Sequence, residues 1–311
     1  MKALVVKNTG SWYVVRADGD APVNCKIKGN LRLKGLRATN PVAVGDHVDI
    51  EPKDDGTAWI TAIEPRRNYI IRRSSNLSKE YQIIAANLDL AVLVVSLANP
   101  TTNTTFIDRF LATAQAYNIP AMLVVNKTDL LTSHDDQALL DAVANLYRSI
   151  GYPVETISAA TGEGIDRLRL SLSDKITLFS GNSGVGKSSL INRLIPDAGL
   201  RVGEVSAVHH TGMHTTTFSE MLELPGGGAI IDTPGVKGFG TIDFEHDQVA
   251  HYFPEIFAES VHCRFANCTH THEPQCAVVK AVNDHRISQS RYASYLSIIE
   301  EDPQDKYRKP F

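Results

Sequence analysis

Residues 176–194 read ITLFSGNSGVGKSSLINRL. The stretch Ile176 to Phe179 is a mainly apolar run that reads as a strand. Gly181, Asn182, Ser183, Gly184, Val185, Gly186, Lys187 and Ser188 then fit the pattern G-x-x-x-x-G-K-[ST], and 188–194 continues with helical spacing. Strand, glycine-rich loop and helix in that order are the context in which this pattern cradles phosphates. The glycines let backbone N–H groups curl toward an anion, and the helix N-terminus favours negative charge. Lys187 is the candidate partner of the β- and γ-phosphates and Ser188 of Mg²⁺, with Ser180 and Ser189 flanking the loop. The stretch predicts a nucleotide site at the tip of a strand in an α/β domain.

Outward from it, strand-like and helical segments alternate. Residues 88–97, 103–117, 121–125, 135–150, 154–157 and 164–172 precede the loop, and strands near 216–223 and 229–232 follow it. Such alternation predicts a mostly parallel sheet covered on both faces. The first 72 residues read differently. Short β-branched stretches at 3–6, 12–16, 24–33, 47–51 and 59–63 are separated by Gly, Asp, Asn and Pro, as in a small OB-like β-barrel. Residues 72–87 are polar without clear period and read as a linker. After Gly240 the strand signal stops, and two helices are expected near 276–283 and 287–301. The expected organisation is multidomain α/β: a barrel over 1–72, the nucleotide-binding domain over 73–240 and a helical module over 241–311.

The 311 residues are 43% hydrophobic, enough to build a core in each larger domain. No stretch resembles a signal peptide or approaches the roughly 20 apolar residues of a membrane span, so a soluble, cytoplasmic protein without a membrane partner is expected. The net charge of −4 is unevenly placed. Through Arg72 the chain holds 12 Lys+Arg against 8 Asp+Glu, a surplus of four positive charges, so the rest carries eight negative ones net. That asymmetry points the N-terminal part toward a polyanion.

Asn126-Lys127-Thr128-Asp129 follows the strand at 121–125 and resembles the NKxD motif of guanine-specific P-loop GTPases. A carboxylate at Asp129 accepts from both N1–H and the exocyclic amine of guanine, an arrangement adenine cannot supply. Asn126 would hold the base edge and the loop, and the Lys127 stem would pack on the ring. Ser158-Ala159-Ala160 resembles the companion loop that touches guanine through backbone N–H. Asp232-Thr233-Pro234-Gly235 resembles DxxG, in which Asp232 would act on Mg²⁺ through water and the Gly235 amide would sense the γ-phosphate. His214-Thr215-Thr216-Thr217 ends a long polar stretch, which suits a mobile switch. Thr216 is the chosen candidate to close onto Mg²⁺, a β-branched edge strand being the alternative. Val236 stands where Ras-like proteins carry a water-orienting glutamine. Valine cannot orient water, so slow intrinsic hydrolysis is expected, with His214 the candidate to position the water, ahead of His209 and His210.

The motif order is rotated: NKTD at 126, SAA at 158, the phosphate loop at 181, HTTT at 214 and DTPG at 232. A circular permutation can join old termini and open one surface loop without disturbing a sheet. The arrangement resembles the circularly permuted GTPases, and specifically the ribosome small-subunit-dependent GTPase A family, over nearly the whole chain. The resemblance implies an OB-fold, a permuted GTPase domain and a C-terminal zinc domain. It also implies GTP and GDP as ligands, binding to the 30S ribosomal subunit and its 16S rRNA during late maturation, and hydrolysis stimulated by that subunit. A monomer is expected.

Cys263, Cys268, His270 and Cys276 give C-x4-C-x-H-x5-C. Three of four cysteines within fourteen residues point to metal rather than to disulfides. Three thiolates and one imidazole make a closed tetrahedral set of the structural zinc type. The pattern leaves His262 and His272 open as alternatives; the resemblance implies His270. Lys26, Lys28, Arg32, Lys34 and Arg37 fall in twelve residues without an acid and make a candidate RNA-binding face, a solvated face being the plainer alternative. Two other functions fit these motifs: a nucleotide-sensing signalling GTPase with a protein partner, and a zinc-stabilised RNA-binding module with little hydrolysis.

Overall fold

A computed structural model describes residues 1–17, 19, 21–28, 41–73, 81–200, 219–232 and 247–300. Five strands open the chain: β1 (Lys2–Asn8), β2 (Tyr13–Arg16), β3 (Val23–Ile27), β4 (His47–Pro52) and β5 (Ala58–Ile63). Successive side chains alternate in and out, so Val5, Tyr13, Val15, Cys25, Val48, Ile50 and Ile60 fill one core. β1 pairs with both β2 and β4, β2 with β3, and β3 runs parallel to β5, which pairs with β4. The ring closes into an OB-like barrel.

The described residues at the two ends of 72–87 are strand rather than the linker that the polarity of the stretch suggests. β6 (Tyr69–Arg73) and β7 (Tyr81–Ala86) pair antiparallel. Ile83 to Ala86 are buried, and the Ala86 N–H donates to Val44 O at 2.9 Å, fastening the hairpin to the barrel. Residues 74–80, polar or charged except for Leu77, obscure this short apolar run in the sequence.

The central domain comprises β8 (Leu90–Ser96), α1 (Thr104–Ala116), β9 (Ala121–Asn126), α2 (His134–Ser149), β10 (Val154–Thr156), α3 (Ile165–Leu172), β11 (Ile176–Ser180), α4 (Lys187–Leu194), β12 (Glu220–Glu223) and β13 (Ala229–Asp232). The sheet order is β10-β9-β8-β11-β13-β12, parallel except for β12. β8 is buried along its whole length. Its Ala91, Leu93 and Val95 join the core with α1 and α2, and its Leu90, Val92 and Val94 the core with α3 and α4. This two-residue alternation is how one apolar strand serves two helical layers. β12 continues into the barrel, where Glu220 pairs with Lys7 of β1 and their side chains form an ion pair at 3.0 Å. One eleven-stranded sheet therefore runs through both domains.

α5 (Pro254–Ser260), α6 (Ala277–Asn283) and α7 (Gln289–Ile299) build a C-terminal module around Phe253, Ile256, Val278, Ala281 and Tyr295. α5 is too short, at seven residues, to show a period in the sequence. α1 contributes Ala112 to the module's core. Among the described residues no helix is long and apolar enough to cross a membrane.

Candidate functional site

From β8 the chain moves outward through β9 and β10, then returns to place β11 on the other side of β8. Loops leaving the carboxyl ends of β8 and β11 therefore diverge, and such a switch point opens the crevice in which α/β sheets bind ligands. The register sets Ser96 opposite Asn126 and Phe179 opposite Asp232, so the carboxyl ends of β8, β9, β11 and β13 lie along one edge. Lys187 Nζ lies 3.2 Å from Asp232 Oδ1, with both side chains more than four-fifths buried. Ser188 and Ser189 are half-buried in the first turn of α4, Ser180 is buried, and Asn182 and Ser183 are exposed.

Asn126 ties three loops together. It is buried; its Nδ2 donates to Val185 O (2.9 Å) and its Oδ1 accepts from the Ala159 N–H (3.0 Å). Gly186 permits this approach, because at its φ of +90° a Cβ would stand 2.4 Å from Asn126 Nδ2. Lys127 takes a left-handed φ of +66°, and its ammonium donates to the Asn99 carbonyl. Thr128 starts a short 3-10 turn with its hydroxyl buried. Asp129 is exposed; one oxygen accepts from Ser158 Oγ at 2.5 Å, and that hydroxyl oxygen accepts from the Thr161 N–H at 3.1 Å. Arg193 of α4 donates from Nε to Ala159 O (2.9 Å) and from Nη2 to Ala160 O (2.7 Å).

In the C-terminal module Cys263, Cys268, His270 and Cys276 bring four donor atoms within 4.8 Å of one another, a group that could hold a metal ion. His270 Nδ1 is 3.6 Å from Cys263 Sγ and 3.4 Å from Cys276 Sγ, and these sulfurs are 3.8 Å apart. His272 instead faces Thr271 Oγ1 at 2.7 Å, and His262 lies outside the cluster. Tyr292 O–H donates to His270 O (2.6 Å) and Tyr295 O–H to Thr269 O (2.8 Å), which pins the ligand loop. Burial lowers the pKa of His270, favouring the neutral imidazole that can ligate. Burial also pushes the Cys268 thiol up to about 12, a penalty on the thiolate that a bound dication relieves.

The RsgA GTPase family profile matches residues 63–242, and that of the RsgA N-terminal domain matches residues 2–60. The chain belongs to the RsgA GTPase family. It is 58% identical over 311 residues to the small ribosomal subunit biogenesis GTPase RsgA of Bacteroides fragilis, and 57% identical over 316 residues to that of Porphyromonas gingivalis, with both chains covered in full each time. Among solved structures it is similar to YjeQ from Thermotoga maritima, with a TM-score of 0.78, 32% identity and 96% of each chain covered. It is also similar to YloQ, described as a circularly permuted GTPase, with a TM-score of 0.73 and 30% identity over all of this chain and 96% of the other. As a member of the RsgA GTPase family the protein is a GTP-hydrolysing enzyme. Its fold is an OB-like barrel, a circularly permuted GTPase domain and a helical module with a Cys3His cluster.

Some residues singled out from the sequence lie outside the described residues: His209, His210, His214, Thr215, Thr216, Thr217, Thr233, Pro234, Gly235, Val236, Arg32, Lys34 and Arg37. Lys26 and Lys28 are described and exposed. Lys26 sits over the Trp12 ring, 4.3 Å from its centroid, and Lys28 pairs with Glu51 at 2.5 Å. Sequence reasoning missed Arg193 and a buried network in which Arg291 of α7 bonds Asp108 and Glu255. A lone arginine on a helix reads as a surface charge until the fold supplies its partners.

Proposed function

We propose that this GTPase acts in biogenesis of the small ribosomal subunit, in the cytoplasm, binding as a monomer to the 30S subunit and its 16S rRNA and hydrolysing GTP in response. The observation that carries this reading is end-to-end identity of 58% with a relative whose name states that role. The proposed division is a barrel over 1–72, the GTPase domain over 73–240 and the zinc module over 241–311. Residues 180–189 hold the phosphates, Asn126 to Asp129 with Ser158 and Ala159 read guanine, and Gly235 senses the γ-phosphate. Ser188 and Thr216 offer hard oxygen ligands that would hold Mg²⁺, with Asp232 acting on it through water, and the ion would supply compensation of phosphate charge. The Lys187–Asp232 pair supports that assignment, since it puts a phosphate-binding cation and a metal-binding carboxylate at one point. Lys26, Lys28, Arg32, Lys34 and Arg37 face the rRNA. Turnover of GTP is expected to rise on addition of 30S subunits, with Lys187→Ala lowering it at least about a hundredfold and His214→Ala losing only the stimulation. Turnover indifferent to added subunits overturns the ribosomal reading, and unchanged turnover in Lys187→Ala overturns the site.

The metal is proposed to be one structural Zn²⁺. Tetrahedral ligation at about 2.3 Å for sulfur and about 2.05 Å for nitrogen separates ligand atoms by about 3.8 Å (S–S) and about 3.6 Å (S–N). The separations of 3.8, 3.6 and 3.4 Å around Cys263, Cys276 and His270 support that identity. Four protein ligands leave no open position for catalysis. Metal analysis is expected to find one zinc per chain, and Cys276→Ser to retain less than about half of it. Full zinc retention by that variant would count against the ligand set.

A further inference from the structure

Among the described residues, the turn at 158–162 has partners for all its backbone donors but one. The Ser158 N–H donates to Glu163 O (3.0 Å), Ala159 N–H to Asn126 Oδ1 (3.0 Å), Thr161 N–H to Ser158 Oγ (3.1 Å) and Gly162 N–H to Ser158 O (2.8 Å). The N–H of Ala160, an exposed residue, has no partner among the described residues. The carbonyls of Ala159 and Ala160 are both held by the Arg193 guanidinium, at 2.9 and 2.7 Å.

In a trans peptide the carbonyl and the following N–H point in opposite directions. Holding Ala159 O against Arg193 therefore turns the Ala160 N–H away from the guanidinium. Holding Ala160 O does the same for the Thr161 N–H, which closes on the Ser158 hydroxyl that donates to Asp129. One side chain thus orients the spare donor and, through the turn, braces the carboxylate proposed to read the base.

We infer that Arg193 is a positioning residue for guanine recognition, holding the Ala160 N–H as the donor to guanine O6. The inference rests on the guanine reading proposed above. O6 is an acceptor, whereas the 6-amino group of adenine is a donor, so a fixed N–H attracts one base and repels the other. The planar guanidinium offers donors at fixed spacing to two successive carbonyls, which a lysine cannot match. Arg193 also shares α4 with Lys187, so base grip and phosphate grip hang on one rigid element.

The test is equilibrium binding of GDP, ADP and 2-aminopurine riboside 5′-diphosphate, which keeps the 2-amino group but lacks both O6 and N1–H, to the full-length protein. Wild type is expected to prefer GDP to both. Arg193→Ala is expected to bind GDP about five- to tenfold more weakly and the 2-aminopurine nucleotide with a much smaller loss, from the slackened Asp129 brace alone. Arg193→Lys, which keeps the charge without the fork, is expected to show the same selective loss at smaller size. Equal weakening of both nucleotides in the two variants assigns Arg193 a merely structural role and overturns the inference, as does no change in either. A wild type without preference for GDP over ADP overturns the guanine reading itself.

Discussion

Gly186→Ala is expected to weaken GDP binding at least about a hundredfold, while Gly151→Ala leaves it unchanged. Both glycines are left-handed, with φ of +90° and +96°. A residue with a Cβ in that region costs about 1–2 kcal/mol. At Gly151, just past the end of α2, nothing lies within 4 Å of an added Cβ, so a loss of stability of that size is the whole effect. At Gly186 the Cβ meets Asn126 Nδ2 at 2.4 Å. Asn126 must move, and its bonds to Val185 O and the Ala159 N–H go with it. Each buried group left unpaired costs about 1–3 kcal/mol. Two orphans plus strain exceed the roughly 2.7 kcal/mol that a hundredfold loss represents. The three loops that Asn126 fastens then separate, and the site fails while the sheet beneath it stands. Fluorescent-GDP titration alongside thermal melts of both variants checks this; equal binding losses at the two glycines would sink the steric argument.

The legible and illegible parts of this protein divide by distance along the chain. The phosphate loop and the strand before it are contiguous, so pattern alone places both. β8 reads as a buried strand because it is apolar throughout. The barrel shows as five alternating stretches, while β7 hides because its apolar run is short and follows seven residues of which six are polar or charged. The site's working contacts are the harder part. That Lys187 meets Asp232 follows from the register of β11 with β13, which no local pattern encodes. Asn126 was readable as a motif residue, but its partners lie 59 and 33 residues away. Arg193 had no signal, because helix residues with one charge and no motif are common on solvated faces.

Arg291→Met is expected to destabilise the docking of the C-terminal module by about 3–5 kcal/mol, the cost of breaking a buried ion pair. Arg291 is 1% exposed. Its Nη1 donates to Asp108 Oδ1 at 2.8 Å, and its Nε and Nη2 donate to Glu255 at 2.6 and 3.1 Å. The guanidinium also lies over the Phe253 ring, 4.5 Å from its centroid. Burial alone would lower the pKa of Arg291, but the two carboxylates outweigh it and hold the group above its ordinary value. The buried Tyr147 hydroxyl spends its proton on the same Asp108 oxygen. Methionine fills the volume but leaves Asp108 and Glu255 facing each other without a cation. If orphaned charge is the cause, adding Asp108→Asn and Glu255→Gln to Arg291→Met should restore at least about half of the loss, because neutral amides are far cheaper to bury. If lost packing were the cause, those additions would restore nothing. Denaturant titration of the single and triple variants separates the two. Since Arg291 and Glu255 belong to the module with the Cys3His cluster and Asp108 to α1 of the GTPase domain, Arg291→Met is also expected to keep basal GTP turnover while losing the stimulation by 30S subunits proposed above. That pairing of outcomes would locate the route from subunit to nucleotide at this ion network rather than at the barrel.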